Sequence, residues 1–137
     1  MKNHFILNDS EFEKAFESCS LDPSLFSHEA HVRLAWIHIN KYGIDKAEKN
    51  IQKQLQKFVL HVGAKDKYHK TITIVAIKAV NHFIKQSNTD SFINFIEEFQ
   101  QLKTNFKTLI NSHYSIDVFN SEFAKVNFLK PDLIPFN

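Results

Sequence analysis

Apolar residues recur at helical spacing along most of the chain. Between residues 44 and 62 they stand three or four positions apart, with Lys and Gln between them. This spacing puts them on one face of an α-helix, so the segment predicts an amphipathic helix. We expect Asp45 to cap its start and Gly63 to end it. The apolar face consists of Ile44, Ala47, Ile51, Leu55, Phe58 and Val62.

Two earlier helices are predicted from their capping residues. Ser10 and Glu13 have the spacing of a capping box, in which each side chain bonds to the other residue's backbone N–H. Ser27 can cap a second helix over roughly residues 28–42, and Gly43 follows at a C-terminal stop. The inward positions of the first helix are Phe12, Ala15, Phe16 and Cys19.

The second half of the chain predicts two or three more helices. A fourth spans Asp66 to about Gln86, although the β-branched run at 71–75 would by itself favour a strand. We predict a helix there because a strand would have no partner. A break and a new cap at 87–90 precede a fifth helix, which residues 106–110 either extend or follow as a short sixth. The apolar face of the fifth is Phe92, Phe95, Ile96, Phe99 and Leu102.

Length and composition agree with a single helical domain. The 137 residues suffice for one core, and two Gly and three Pro are too few for the turns of a β-sandwich or for a glycine-rich phosphate loop. Beyond Tyr114 the pattern weakens, and Pro131 and Pro135 predict an extended tail that packs across the bundle. We therefore predict an all-α fold over residues 1–137: a single bundle of five or six helices with an extended C-terminal tail.

Charge and cysteine content exclude several classes of function. The 17 Lys and Arg against 15 Asp and Glu give a net charge of +2, and the one arginine is Arg33. This argues against nucleic acid as a partner. Cys19 is the one cysteine, which excludes an internal disulfide and favours a reducing cytoplasm. No stretch approaches the roughly 20 apolar residues that span a bilayer, so we expect no membrane partner.

Histidines of the second predicted helix suggest a metal site. His28 and His31 are one turn apart and can present two ring nitrogens to one ion. His38 shares their face but stands about 10 Å further along, so we expect it near the site or at the surface. His69, at the start of the fourth helix, is the expected third ligand, because an antiparallel third helix would return the chain to the start of the second.

Several functions are compatible with this constellation. Three imidazoles would hold a divalent transition metal such as zinc and leave a position for water or substrate. If the chain is an enzyme, Tyr68 is the expected catalytic residue, orienting a substrate in a metal-dependent hydrolysis. The alternative is a metal-free helical module that binds a small molecule or a protein, and a third is histidines that satisfy one another in a core. Glu29 is no zincin base, because His28 and His31 are one residue too close for that motif.

Three segments resemble an uncharacterised family of small all-helical bacterial proteins. They are FSHEAHVRLAW at residues 26–36, KYHKTIT at 67–73 and PDLIP at 131–135. The family's motifs are His-x-x-His-Leu-x-x-Ala-Trp or similar and Tyr-His-x-Thr-x-Thr. By residue match the resemblance points to His28, His31, Tyr68, His69, Thr71 and Thr73. Lys70 stands where the family often has Glu, and the resemblance implies no particular activity.

The two threonines have a structural explanation as well. Their hydroxyls could fix the tautomer of an imidazole, but threonines in helices more commonly bond back to the preceding turn. We therefore expect Thr71 and Thr73 to make such bonds.

Overall fold

The computed structural model describes residues 3–136, and all the regular structure in that range is helical. The chain divides into two compact units, Met1–Tyr68 and His69–Asn137, here called the N-terminal and the C-terminal unit. The all-α prediction is confirmed, whereas the single domain and the single bundle stay predictions. The α-helices are α1 (Asp9–Glu17), α2 (His28–Tyr42), α3 (Ile44–His61), α4 (Lys70–Ile84), α5 (Phe92–Glu98), α6 (Gln101–Thr104), α7 (Phe106–Asn111) and α8 (Glu122–Val126).

The N-terminal unit is a helical hairpin, α2 and α3, against which α1 packs. Gly43 alone links the two helices, and its φ of +86° is a conformation that favours glycine. The predicted bounds of α2 are confirmed, with the Ser27 hydroxyl accepting from the Ala30 N–H. Aromatic rings fill the space between the helices: Phe58 of α3 stacks on Phe16 of α1 at a centroid distance of 4.9 Å.

The start of α1 differs from the prediction by two residues. Asn8, not Ser10, is the N-cap, and its side chain accepts from the N–H of Glu11 while the Glu11 carboxylate accepts from the N–H of Asn8. The sequence holds two overlapping sets with capping-box spacing, and Glu13 of the other set is buried and bonds to α2 instead. Cys19 lies beyond the end of α1, half-exposed with a φ of +60°, so it is not the core residue that we predicted.

Two other predicted helix starts are also wrong in detail. Gly43, not Asp45, occupies the N-cap position of α3, and Asp45 lies in the first turn. The residues Lys65–Lys67 form a separate 3₁₀ turn, so α4 begins only at Lys70. His69 is its cap, and the β-branched run after it is helical as predicted. These residues suit a buried helix, because Thr71, Thr73, Ile74 and Val75 are all buried.

The C-terminal unit packs α7, α8 and the turn Val118–Asn120 against α4. The predicted fifth helix is interrupted at Phe99, so its apolar face is divided between α5 and α6. The described range therefore contains eight α-helices rather than five or six, and four of them are seven residues or shorter. The tail is anchored within this unit, since the N–H of Leu133 donates to the carbonyl of His113 and Asp132 accepts from Ser115.

No helix between residues 3 and 136 has both the length and the apolar character needed to cross a membrane.

Candidate functional site

The predicted site residues belong to both units. His28 and His31 lie on the first turns of α2, and Tyr68 is the last residue of the N-terminal unit. His69 is the first residue of the C-terminal unit. The convergence of His69 with His28 and His31 therefore stays a prediction.

His31 has a buried ring nitrogen that no residue between 3 and 136 satisfies. Its Nε2 atom is inaccessible to solvent and makes no hydrogen bond to any described residue, while its ring lies 5.5 Å from that of Phe26. The pKa of His31 is lowered from 6.5 to about 4, mainly by burial and also by the charge of the nearby His28. The imidazole is therefore neutral at pH 7, and it can accept or donate at Nε2 according to its tautomer.

Tyr68 presents a second polar atom of the same kind. Its hydroxyl is buried and has no hydrogen-bond partner between residues 3 and 136. Because α3 runs back along α2, Phe58 near the end of α3 meets Phe26 before the start of α2, at a ring distance of 5.4 Å. The turn Lys65–Lys67 packs against α3 and leads into Tyr68. Tyr68 thus follows the end of the hairpin at which His31 stands.

His69 caps α4 with one ring nitrogen and bonds to a distant carbonyl with the other. Nδ1 accepts from the N–H of Ile72, and Nε2 lies 3.2 Å from the carbonyl oxygen of Val118, to which it donates. The pKa of His69 is lowered, mainly because the ring is partly buried. The hydrogen bond to Val118 acts in the opposite direction, and the charge of Lys125 lowers the pKa as burial does. His69 could bind a metal only by giving up at least one of these hydrogen bonds. Among the described residues no three His, Cys, Asp or Glu side chains are placed to hold one ion.

The two motif threonines have different structural roles. The hydroxyl of Thr73 donates to the carbonyl of His69 one turn earlier, which confirms the expected back-bond. Thr71 is fully buried and joins two segments instead: its hydroxyl donates to the carbonyl of Asn127 and accepts from the N–H of Leu129. The expected back-bond of Thr71 is therefore replaced by an anchor for the chain after α8.

The first motif also holds the N-terminal segment, which the sequence did not indicate. His4 is 1% exposed, and its ring lies between two residues of α2. Nε2 is 2.8 Å from a carboxylate oxygen of Glu29, and Nδ1 is 3.2 Å from a guanidinium nitrogen of Arg33. The buried Arg33 also donates to the carbonyls of His4 and Leu7 and pairs with Asp9. The ion pair between Arg33 and Asp9 is thus buried on the arginine side and exposed on the aspartate side.

His38 is neither at the surface nor hydrogen-bonded. It is 0% exposed, and no described residue satisfies either of its ring nitrogens. Burial lowers its pKa, while the carboxylates of Glu13 and Glu17 oppose the shift. The burial of His38 could have been predicted from its apolar neighbours in the sequence, which include Leu34, Ala35 and Ile39.

The chain matches no protein-family model, no curated protein and no solved structure. The resemblance to a family of small bacterial proteins therefore stays a prediction.

Proposed function

We propose that the protein binds a small uncharged molecule, without a metal, at the end of the α2–α3 hairpin where His31 and Tyr68 stand. The observation that carries the proposal is that each side chain buries a polar atom with no hydrogen-bond partner among the residues that the structure describes. A buried hydrogen-bonding group left unsatisfied costs about 1–3 kcal/mol. A ligand that bonds to both atoms would recover much of that free energy on binding.

The chemistry of the two groups defines the class of ligand. A neutral imidazole and a phenol each donate or accept, and neither carries a charge at pH 7. His31 stays uncharged because its pKa is lowered to about 4. An anion would find no cation in this pair, and an organic cation would find no anion. Phe26 beside His31 favours a planar apolar part in the ligand.

A divalent metal at the same place is the second candidate. It is favoured by the one-turn spacing of His28 and His31 and by the neutral, unpaired Nε2 of His31, because a metal binds the deprotonated imidazole. The cap formed by His69 counts against it, since the predicted third ligand already uses both ring nitrogens. Under the metal hypothesis, Tyr68 would orient a substrate, and the metal would supply an activated water.

Titration with matched compounds distinguishes these functions. Benzamide, benzoate and benzamidinium have the same shape and differ in charge, so the proposal predicts calorimetrically measurable binding of benzamide in preference to the two ions. His31→Phe and Tyr68→Phe should each weaken binding roughly tenfold, the effect of one lost hydrogen bond. His61→Phe on the exposed end of α3 is the control and should bind normally. Preference for a charged compound, or no saturable binding, contradicts the proposal.

A separate titration with Zn²⁺ tests the second candidate. Stoichiometric binding that is lost in both His28→Ala and His31→Ala would favour the metal and contradict the metal-free function.

A cytoplasmic location and a bacterial source belong to this proposal too. The lone Cys19 supports the cytoplasmic location, and the resemblance of the two motifs supports the bacterial source.

A further inference from the structure

Residues of the C-terminal unit alone enclose an apolar cavity, which shares no residue with the proposed His31 and Tyr68 site. Its volume is about 160 Å³. Ala79 and Phe83 of α4 and Leu109 of α7 form part of its wall, and residues 134–136 of the tail form another part. The cavity is therefore complete within this unit.

His113, two residues beyond the end of α7, holds the tail against the cavity. Its carbonyl accepts from the N–H of Leu133 at 3.0 Å, and its Nδ1 donates to the carbonyl of Ile134 at 2.7 Å. Its ring stacks on that of Phe136 at a centroid distance of 3.9 Å. Ile134 lines the cavity and is 54% exposed, so the tail lies between the cavity and solvent. Three contacts from one residue thus fix this wall in the free protein.

The wall offers aliphatic and aromatic surface. Among the residues that the structure describes, those lining the cavity include no Asp, Glu, Lys or Arg. His82, the other imidazole on the wall, accepts through Nε2 from the amide nitrogen of Gln86 and meets the ring of Phe83 edge to face at 5.1 Å. His82 and His113 therefore each have one ring nitrogen bonded within the protein. Walls of this composition favour an uncharged ligand with a flat apolar surface.

The size of the cavity suits one aromatic ring. Apolar cavities of about 150 Å³ can stay dry and bind benzene. Side chains around a dry cavity lack van der Waals partners on one side, and a ligand of matching shape supplies them.

We propose that this cavity binds small uncharged molecules that contain a single aromatic ring. The ligand is held by contact with apolar walls, whereas the site at His31 and Tyr68 acts through hydrogen bonds. The two sites belong to different units, and the cavity does not depend on the proposed function.

The test uses toluene as the probe, because it has one ring and no hydrogen-bonding group that would engage His31 or Tyr68. Titration into the full chain should shift the NMR signal of the Ala79 methyl group saturably. Ala79 is 1% exposed, and Ala79→Leu places three further carbon atoms at the cavity wall. This variant should bind toluene at least roughly tenfold more weakly while its circular dichroism spectrum stays helical.

A second variant enlarges the cavity instead of filling it. Leu109→Ala should favour the larger ligand, so the affinity for naphthalene relative to toluene should rise roughly threefold or more. Leu133→Ala is the matched control, because it makes the same change at a 57% exposed position of the same unit. It should leave this ratio unchanged.

The proposal is overturned if toluene shows no saturable binding to the wild type, or binds Ala79→Leu equally well. An unchanged ratio in Leu109→Ala, or the same change in Leu109→Ala and Leu133→Ala, would also overturn it, because the ligand would then be bound outside the cavity.

Discussion

The ring of His4 donates through Nε2 to the carboxylate of Glu29, at a distance of 2.8 Å. The buried Nε2 of His31, two residues further along the same helix, has no such partner among the described residues. Arg33 can only donate, so Nδ1 of His4 must be the acceptor in their contact and the proton must be on Nε2. Glu29 and Arg33 are one turn apart on α2. These two residues of the first motif thus fix the N-terminal segment, which gives them a structural role.

Replacement of Glu29 by Ala should destabilise the protein by about 1–3 kcal/mol, because the buried Nε2–H of His4 would lose its acceptor. The midpoint and slope of urea unfolding measure this change. Glu97→Ala on the exposed surface of α5 is the matched control and should cost less than about 0.5 kcal/mol. Equal effects of the two variants would show that His4 gains nothing from Glu29.

Thr71→Val should be more destabilising than Thr73→Val. The first variant leaves the carbonyl of Asn127 and the N–H of Leu129 without their buried partner, with an expected cost of about 1–3 kcal/mol. The second removes only a bond to the carbonyl of His69 in the preceding turn. Both residues are buried and undergo the same chemical change, so the difference in unfolding free energy isolates the bridge. A larger loss for Thr73→Val would contradict this assignment.

His69→Ala should destabilise the protein by about 1 kcal/mol, because α4 would lose its cap. His69→Asn restores a side chain that caps well but cannot place an imidazole nitrogen on a metal. Thermal unfolding of the two variants should therefore show that Asn recovers much of the stability lost with Ala. If the wild type binds a metal and His69→Asn binds it equally well, His69 is not a ligand. If His69→Asn is as unstable as His69→Ala, the cap contributes little to stability.

The stability of the protein should fall with acidification partly because of His31. The folded pKa is about 4 and the ordinary value 6.5, so below pH 6.5 the unfolded chain takes up a proton that the folded chain does not. The contribution of neutral His31 is therefore complete above pH 6.5 and decreases as the pH falls toward 4. The loss by pH 5 is at most about 2 kcal/mol.

Urea unfolding at pH 7.5 and pH 5 checks this linkage. His31→Gln cannot titrate, so its stability should change less between the two pH values than that of the wild type. His61→Gln, at an exposed position, should retain the full wild-type dependence. An unchanged dependence in His31→Gln would contradict the burial of a neutral imidazole.

Local patterns in the sequence predicted the helices better than their ends. The bounds of α2 follow from Ser27 and Gly43, because both capping signals are local and unambiguous. The start of α1 was missed because two overlapping sets of residues have capping-box spacing. Glu13 of the later set accepts from Tyr42 of α2 instead, which favours the earlier set as the cap. The predicted fifth helix was too long because apolar spacing continues through Phe99, where the backbone leaves the helical conformation.

The candidate site could be located in part. The spacing of His28 and His31 indicated that they share a helical face, and Tyr68 was indicated as a site residue because it is next to His69 in the sequence. The hydrogen bond from His69 to the carbonyl of Val118 could not be predicted, because the two residues are 49 positions apart in the sequence. The same holds for His4, whose partners are 25 and 29 residues distant. Periodicity reports only local neighbours, so contacts of this kind require the structure.

The ring nitrogens of His31 provide the most direct test of the proposed binding site. Long-range ¹H–¹⁵N spectra report the tautomer and the hydrogen bonding of each imidazole, and the spectrum of His31→Phe assigns the signal. We expect a neutral ring at pH 7 whose Nε2 chemical shift changes saturably with benzamide and is unaffected by benzoate. A protonated ring at pH 7, or an Nε2 shift that stays constant up to saturating benzamide, would contradict it.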